Sequence, residues 1–151
     1  MSAQHPSVDV PGLGVLTRAE STFDDGTVAV HDWFAGTVTD GDHEVELMVD
    51  GTDPEAIEPL LPRLRAVVAD LHRISRIATD AIITRFSDVE PEPHELDAGA
   101  ADLRLEAMEA TEADHIVLHF ADICGEHFPD GYWPAAHLDA EGRVAEVTVE
   151  S

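Results

Sequence analysis

A long stripe of apolar side chains in the middle of the chain predicts the main helix. Within residues 60–86, apolar residues recur at steps of three and four, which places them along one side of an α-helix. The stripe consists of Leu60, Leu64, Val67, Leu71, Ile74, Ala78, Ala81 and Ile82. Pro59 and Pro62 disfavour an earlier start, because proline inside a helix costs about 3 kcal/mol. We therefore predict a short turn at residues 54–60 and one helix over residues 62–86.

Segments on both sides of this helix show the patterns of strands. In residues 43–50, apolar residues alternate with mostly acidic ones, which is typical of a half-buried antiparallel strand. Runs of β-branched and aromatic residues between turn signals predict the other strands. The predicted strands are residues 13–19, 27–39, 43–50, 115–123, 132–138 and 143–149.

Residues 95–113 predict a second helix. Small and apolar residues from Leu96 to Ala110 recur at alternating steps of four and three, which is typical of a helical seam. Residues 102–106 also alternate as a strand would. The order β-β-β-α-α-β-β-β predicts an α+β fold, in which an antiparallel sheet of about six strands carries a long helix and a second helix on one face. The length of 151 residues fits one domain, with residues 1–12 as a loosely ordered lead-in or a short edge segment.

The charge balance restricts the partners. The chain has 32 acidic and 8 basic residues, a net charge of −24 at pH 7. Because nucleic acids and anionic membranes are bound largely through cations, we expect neither as a partner. The chain shows neither a membrane-spanning run nor a signal-peptide pattern, and its single cysteine excludes an internal disulfide, so we expect a cytoplasmic protein. The acidity fits a salt-adapted or GC-rich host, a binder of a basic partner, or a cation-binding surface.

The basic residues are all arginines, and five of the eight lie in the predicted long helix. Arg65, His72 and Arg76 share a face roughly opposite the apolar stripe. This face is either an ordinary solvated surface or a docking face for an acidic helix, from the same chain or from a second subunit of a homodimer. Arg65 and Arg76 are therefore candidate partner-binding residues.

Aromatic residues supply further candidates for partner binding. Trp33, Tyr132 and Trp133 are either core residues or the anchors of a binding face. Tryptophan and tyrosine are common hot-spot residues at interfaces, and an acidic rim around an exposed tryptophan suits a basic protein partner.

Histidines and the cysteine supply candidate metal ligands. The densest set is His115, His119, Asp122, Cys124 and His127, whose imidazole, carboxylate and thiolate groups all bind zinc. The spacing matches no established zinc signature, since the two histidines of HIVLH lack the glutamate of HExxH. A metal-binding protein or metal-dependent hydrolase is therefore an alternative to simple surface histidines and an inert cysteine. No nucleophile, phosphate-loop or calcium-loop motif is present, so we expect no cofactor and favour a non-enzymatic protein.

Three short motifs resemble a known group of proteins. They are LGVL at residues 13–16, WFAG at residues 33–36 and DAEGRV at residues 139–144. They resemble small bacterial domains of unknown function, some of which lie near toxin-immunity genes or are suspected immunity proteins. The resemblance implies a strand–helix–strand order and carries no catalytic residue. It adds weight to an immunity-type protein that occludes a basic toxin; an acidic orphan domain of a salt-adapted host remains the other alternative.

Overall fold

One sheet contains every strand of the part of the chain that the computed structural model describes, residues 7–129 and 131–150. Its eight strands lie side by side in sequence order. They are β1 Ser7–Val10, β2 Gly14–Thr22, β3 Val28–Asp40, β4 His43–Asp50, β5 Leu103–Glu112, β6 His115–Asp122, β7 Trp133–Leu138 and β8 Val144–Glu150. Neighbouring strands are antiparallel except for β4 and β5, which are parallel with Leu47 opposite Met108.

The described helices lie between β4 and β5 in the chain. They are α1 Pro54–Ile57, a 3₁₀ turn Glu58–Leu60, α2 Leu61–Ala69, α3 Leu71–Arg85 and α4 Pro93–Asp102. Two parallel strands cannot be joined by a tight turn, and these helices provide the crossover that the pair needs. The carboxylate of Asp53 accepts a 2.8 Å hydrogen bond from the Ala56 amide and so caps α1. None of the described helices is long and apolar enough to cross a membrane.

The helices and the core cover one side of the sheet. Leu64, Leu71 and Ile74 of the predicted stripe are only 0, 6 and 5% exposed. They share one continuous core with the alternating apolar residues of β4. Burial of this apolar surface stabilises the fold by about 25 cal/mol per Å². The predicted stripe is thus confirmed, and we call the opposite side of the sheet the open face.

The predicted α+β class with helices on one face is confirmed, but the sheet is larger than about six strands and not wholly antiparallel. Residues 1–12, expected as a loose lead-in or an edge segment, include β1 paired with β2, while residues 1–6 lie outside the described part. The second half of the helix predicted over residues 95–113 is strand β5. That strand pairs with both β4 and β6, and these long-range hydrogen bonds override a weak helical seam.

The single helix predicted over residues 62–86 is divided into α2 and α3. Asp70 separates them with φ −125° and ψ 32°, outside the helical range. Neither glycine nor proline marks this position, so the sequence carries no strong break signal there. Both parts keep their apolar residues against the sheet.

Helix α4 packs closely against α3 at Gly99, which is buried. A methyl group added there would lie 2.3 Å from Cγ1 and 2.8 Å from Cδ1 of Ile83. We therefore expect Gly99→Ala to lower the free energy of unfolding by about 1–3 kcal/mol through overpacking, although alanine intrinsically favours helices. Chemical denaturation measures the change. In an Ile83→Ala background the same substitution should be neutral or stabilising, and an equal loss in both backgrounds would contradict the close approach.

Candidate functional site

The open face of the sheet is acidic. Strand alternation and register place carboxylates of several strands on it, among them Glu44, Glu46, Asp50, Glu106, Glu109, Glu146 and Glu150. Arg104 is the arginine that the described strands contribute to this face, and its Nη2 lies 2.7 Å from Oε1 of Glu106. Most of the negative charge on the open face is therefore not balanced by arginine.

A mainly apolar depression of about 500 Å³ lies among these acids. Its apolar lining consists of Met48, Ala107, Phe120, Ala121 and Trp133, and its polar lining of Glu106, Glu109 and His119. Trp133 is 39% exposed, so its side chain is accessible to a partner. The depression has the character of an anchor pocket for a large apolar side chain.

Two carboxylates concentrate negative charge beside the depression. Nε2 of His119 lies 3.3 Å from Oε1 of Glu109. Burial raises the pKa of Asp50, and the charge of Glu109 raises it further. Asp50 and Glu109 therefore repel each other, and a cationic group bound beside them would relieve that repulsion.

A chain of hydrogen bonds crosses the open face from β5 to β8. The Thr148 hydroxyl donates its one hydrogen to Oε1 of Glu150 at 3.1 Å. Thr148 Oγ1 can therefore only accept from His137, and Nε2–H of His137 donates to it at 2.9 Å. Nδ1 of His137 then accepts from Nε2–H of His115 at 3.1 Å, and Nδ1 of His115 accepts from the Thr111 hydroxyl at 3.1 Å. This direction is assigned from the hydrogen-bond pattern. In this direction each ring donates from Nε2–H and accepts at Nδ1.

Asp122 organises the loop that follows β6. Its carboxylate accepts hydrogen bonds from the amides of Cys124, Gly125, His127 and Phe128 at 2.7–3.3 Å. Burial alone would raise the pKa of Asp122, but the amides of Phe128, His127 and Cys124 and the Cys124 thiol outweigh it and lower the pKa to about 2. The carboxylate therefore stays ionised and fixes the backbone of the loop.

Asp102, the last residue of α4, joins Cys124 and His127 in a cluster. Nε2 of His127 lies 3.0 Å from Oδ2 of Asp102, while the Cys124 thiol donates to Asp122 Oδ1 at 3.2 Å. The Glu126 amide lowers the pKa of Cys124, but burial and the charges of Asp122 and Asp102 raise it more. This environment does not favour a nucleophilic thiolate.

The structure divides the four predicted metal candidates between two places. His115 and His119 lie on the open face, whereas Cys124 and His127 lie in the loop after β6. Among the described residues, the group of potential ligands that comes together is Asp102, Cys124 and His127. Sequence reasoning missed Asp102 because it is remote in the chain from the other two.

The predicted aromatic candidates have different environments. Trp133 lines the depression. Trp33 lies on the open face and stacks on His31, with ring centroids 4.5 Å apart. Tyr132 is exposed just before β7. Trp133 is therefore the one of the three that the structure places in the depression.

The two predicted arginine candidates also differ. Arg65 is exposed on α2. Arg76 forms ion pairs at 2.8 Å with Asp80 on its own helix and with Asp97 on α4. An acidic helix of the same chain thus occupies part of the predicted basic face.

The structure adds residues that sequence reasoning missed. Met48, Glu106 and Glu109 line the depression, and His137 completes the chain of hydrogen bonds. The alternating pattern of β4 already placed Met48 on the face opposite the core residues, and this pattern could have identified it. The strand-like alternation of residues 102–106 was a signal for Glu106, whereas Glu109 gave none, because its segment was predicted as a helix.

No protein-family model matches this chain, and searches of curated proteins and of solved structures also found no match. Function is therefore argued from the chemistry of the sites.

Protonation of His137 is expected to destabilise the fold. Burial lowers its pKa from 6.5, the charge of His115 lowers it further, and Glu146 and Glu150 act in the opposite direction. When a histidine pKa is lower in the folded state, its contribution to stability is fully present above the unfolded-state pKa and is lost as pH falls below it. We therefore expect the free energy of unfolding, measured by denaturation at several pH values, to decrease as pH falls below about 6.5.

Substitution tests this assignment. His137→Gln should make the free energy of unfolding less dependent on pH over the same pH range. His94→Gln, at an exposed position on α4, should leave that dependence as in the wild type. An unchanged slope in His137→Gln would show that another group controls it.

Proposed function

We propose that this protein is a non-enzymatic binding domain that holds a basic protein partner on its open face. The supporting observation is the position of the apolar depression containing Trp133 within a largely unbalanced acidic surface. A buried apolar anchor supplies most of the affinity at an interface, while surrounding charge speeds the encounter and selects the partner.

The charge of the open face specifies the partner's chemistry. Asp50, Glu106 and Glu109 lie at or beside the depression, and the His119 imidazole is hydrogen-bonded to Glu109. A partner that presents lysine or arginine around one large apolar side chain would fill the depression and pair with these carboxylates. Nucleic acid and anionic lipid would meet repulsion of the same sign.

The same charges disfavour pairing of two copies through their open faces. Such a homodimer would place carboxylates opposite carboxylates, and like charges brought together at an interface cost several kcal/mol. A homodimer through this surface is therefore the weaker alternative to a basic partner.

An immunity-type protein for a basic toxin fits this chemistry. Occlusion of a toxin requires affinity and shape, with no catalytic group on the inhibitor. The acidic open face and the resemblance of the three short motifs support this assignment. A basic protein encoded beside the gene is the first partner to test.

Basic peptides with one apolar anchor are the probes for this proposal. We expect peptides rich in lysine and arginine with a single leucine or tryptophan to bind the wild-type protein more tightly than matched peptides without the anchor. Peptides with glutamate in place of the cations should not bind. Fluorescence anisotropy at several salt concentrations measures the affinities, and added salt should weaken the binding.

Matched variants separate specific binding from general attraction to an acidic protein. Trp133→Ala should weaken binding about 30-fold, the equivalent of about 2 kcal/mol at a hot spot. Phe23→Ala removes an aromatic ring that is 55% exposed outside the depression and should leave affinity unchanged. Glu109→Gln should slow association more than Glu141→Gln, a substitution in the turn before β8. Equal binding by wild type and Trp133→Ala would exclude the depression as the binding site.

A further inference from the structure

A cluster apart from the open face has the composition of a transition-metal site. A carboxylate oxygen of Asp102, the thiol sulfur of Cys124 and an imidazole nitrogen of His127 lie within 4.8 Å of one another. Ligands around tetrahedral zinc are each about 2.0–2.3 Å from the ion, which puts them roughly 3.3–3.8 Å apart. Side-chain movements of about 1 Å would therefore bring the three atoms to coordinating distance.

The backbone already holds these three residues together. The Ile123 amide donates a 2.9 Å hydrogen bond to the carbonyl of Asp102, which ties the loop to the end of α4. Asp122 fixes the other side of the loop by accepting hydrogen bonds from the amides of Cys124 and His127. Metal binding would therefore require rotation of side chains on a preformed backbone, which reduces the entropy lost on binding.

The donor set selects the kind of ion. One thiolate, one imidazole and one carboxylate suit borderline divalent ions such as Zn²⁺ and Co²⁺, whereas Mg²⁺ and Ca²⁺ prefer oxygen ligands alone. Cys124 and His127 are exposed and Asp102 is half-buried, so an ion can enter from solvent. Three protein ligands leave a fourth tetrahedral position for water or a small ligand.

A cavity adjoins the cluster at His127. His127 lines a cavity of about 330 Å³ between α3, α4 and the loop. Ile82, Ile83, Phe86 and Phe128 provide much of its apolar lining. A metal held beside this cavity would have an apolar compartment next to it for a small ligand.

From this geometry we infer that Asp102, Cys124 and His127 bind one Zn²⁺-class ion per chain, with an open coordination position. The site is independent of the open face, so it does not depend on the proposed protein partner.

Cobalt provides the direct test. Protein without a histidine tag, stripped of metal and kept reduced, is titrated with Co²⁺. We expect one equivalent to bind, with thiolate-to-cobalt charge-transfer absorption and the d–d spectrum of a tetrahedral site, and Zn²⁺ to displace it. Failure to bind a stoichiometric ion, or binding without the thiolate band, would overturn the inference.

Substitutions locate the ion. Cys124→Ser, His127→Gln and Asp102→Asn should each weaken binding by at least tenfold, since even residues that only orient metal ligands are worth about 10–100-fold. Circular dichroism and thermal unfolding without metal establish that each variant is folded. His115→Gln and His119→Gln, on the open face, should retain wild-type affinity. Loss of binding in those two variants alone would overturn the assignment and place the ion on the open face.

Discussion

The parallel pairing of β4 with β5 is the constraint on which the rest of the structure depends. Parallel neighbours need a crossover, and the chain makes it with α1, α2, α3 and α4. These helices bury their apolar stripe on one side of the sheet and form a single core there. The other side has no described helix against it. Its composition is therefore set by solvent and by any partner, and it carries acids, histidines and both tryptophans.

The two candidate sites are fixed by different parts of this architecture. On the open face, antiparallel pairing of β5 to β8 aligns Thr111, His115, His137 and Thr148 in one hydrogen-bonded chain. The group of Asp102, Cys124 and His127 instead lies where α4 passes into β5 and where β6 ends. Its backbone is organised by a single carboxylate, that of Asp122, whose low pKa reflects the several amides directed at it. The open face and the group of Asp102, Cys124 and His127 are therefore physically separate in this chain.

Sequence patterns succeeded where local periodicity and burial agree. The alternation in β4 and the stripe containing Leu64, Leu71 and Ile74 are both confirmed, because one-sided burial enforces a regular spacing of apolar residues. The same reasoning failed for residues 103–112, where small residues satisfied a helical seam and a strand equally well. It also failed at Asp70, which interrupts the helix without glycine or proline. Trp133 was recognised as a candidate, although only the structure showed that it lines a depression.

The sequence by itself determined the α+β class, the helix stripe, most strands and the acidity, because these depend on composition and on contacts between near neighbours. Only the tertiary structure decided that β5 is a central strand, that the open face gathers its carboxylates around Trp133, and that Asp102 meets Cys124 and His127. The physical reason is the same for all three. Strand pairing and loop packing join residues distant in the chain, and no local periodicity records which distant segments will meet.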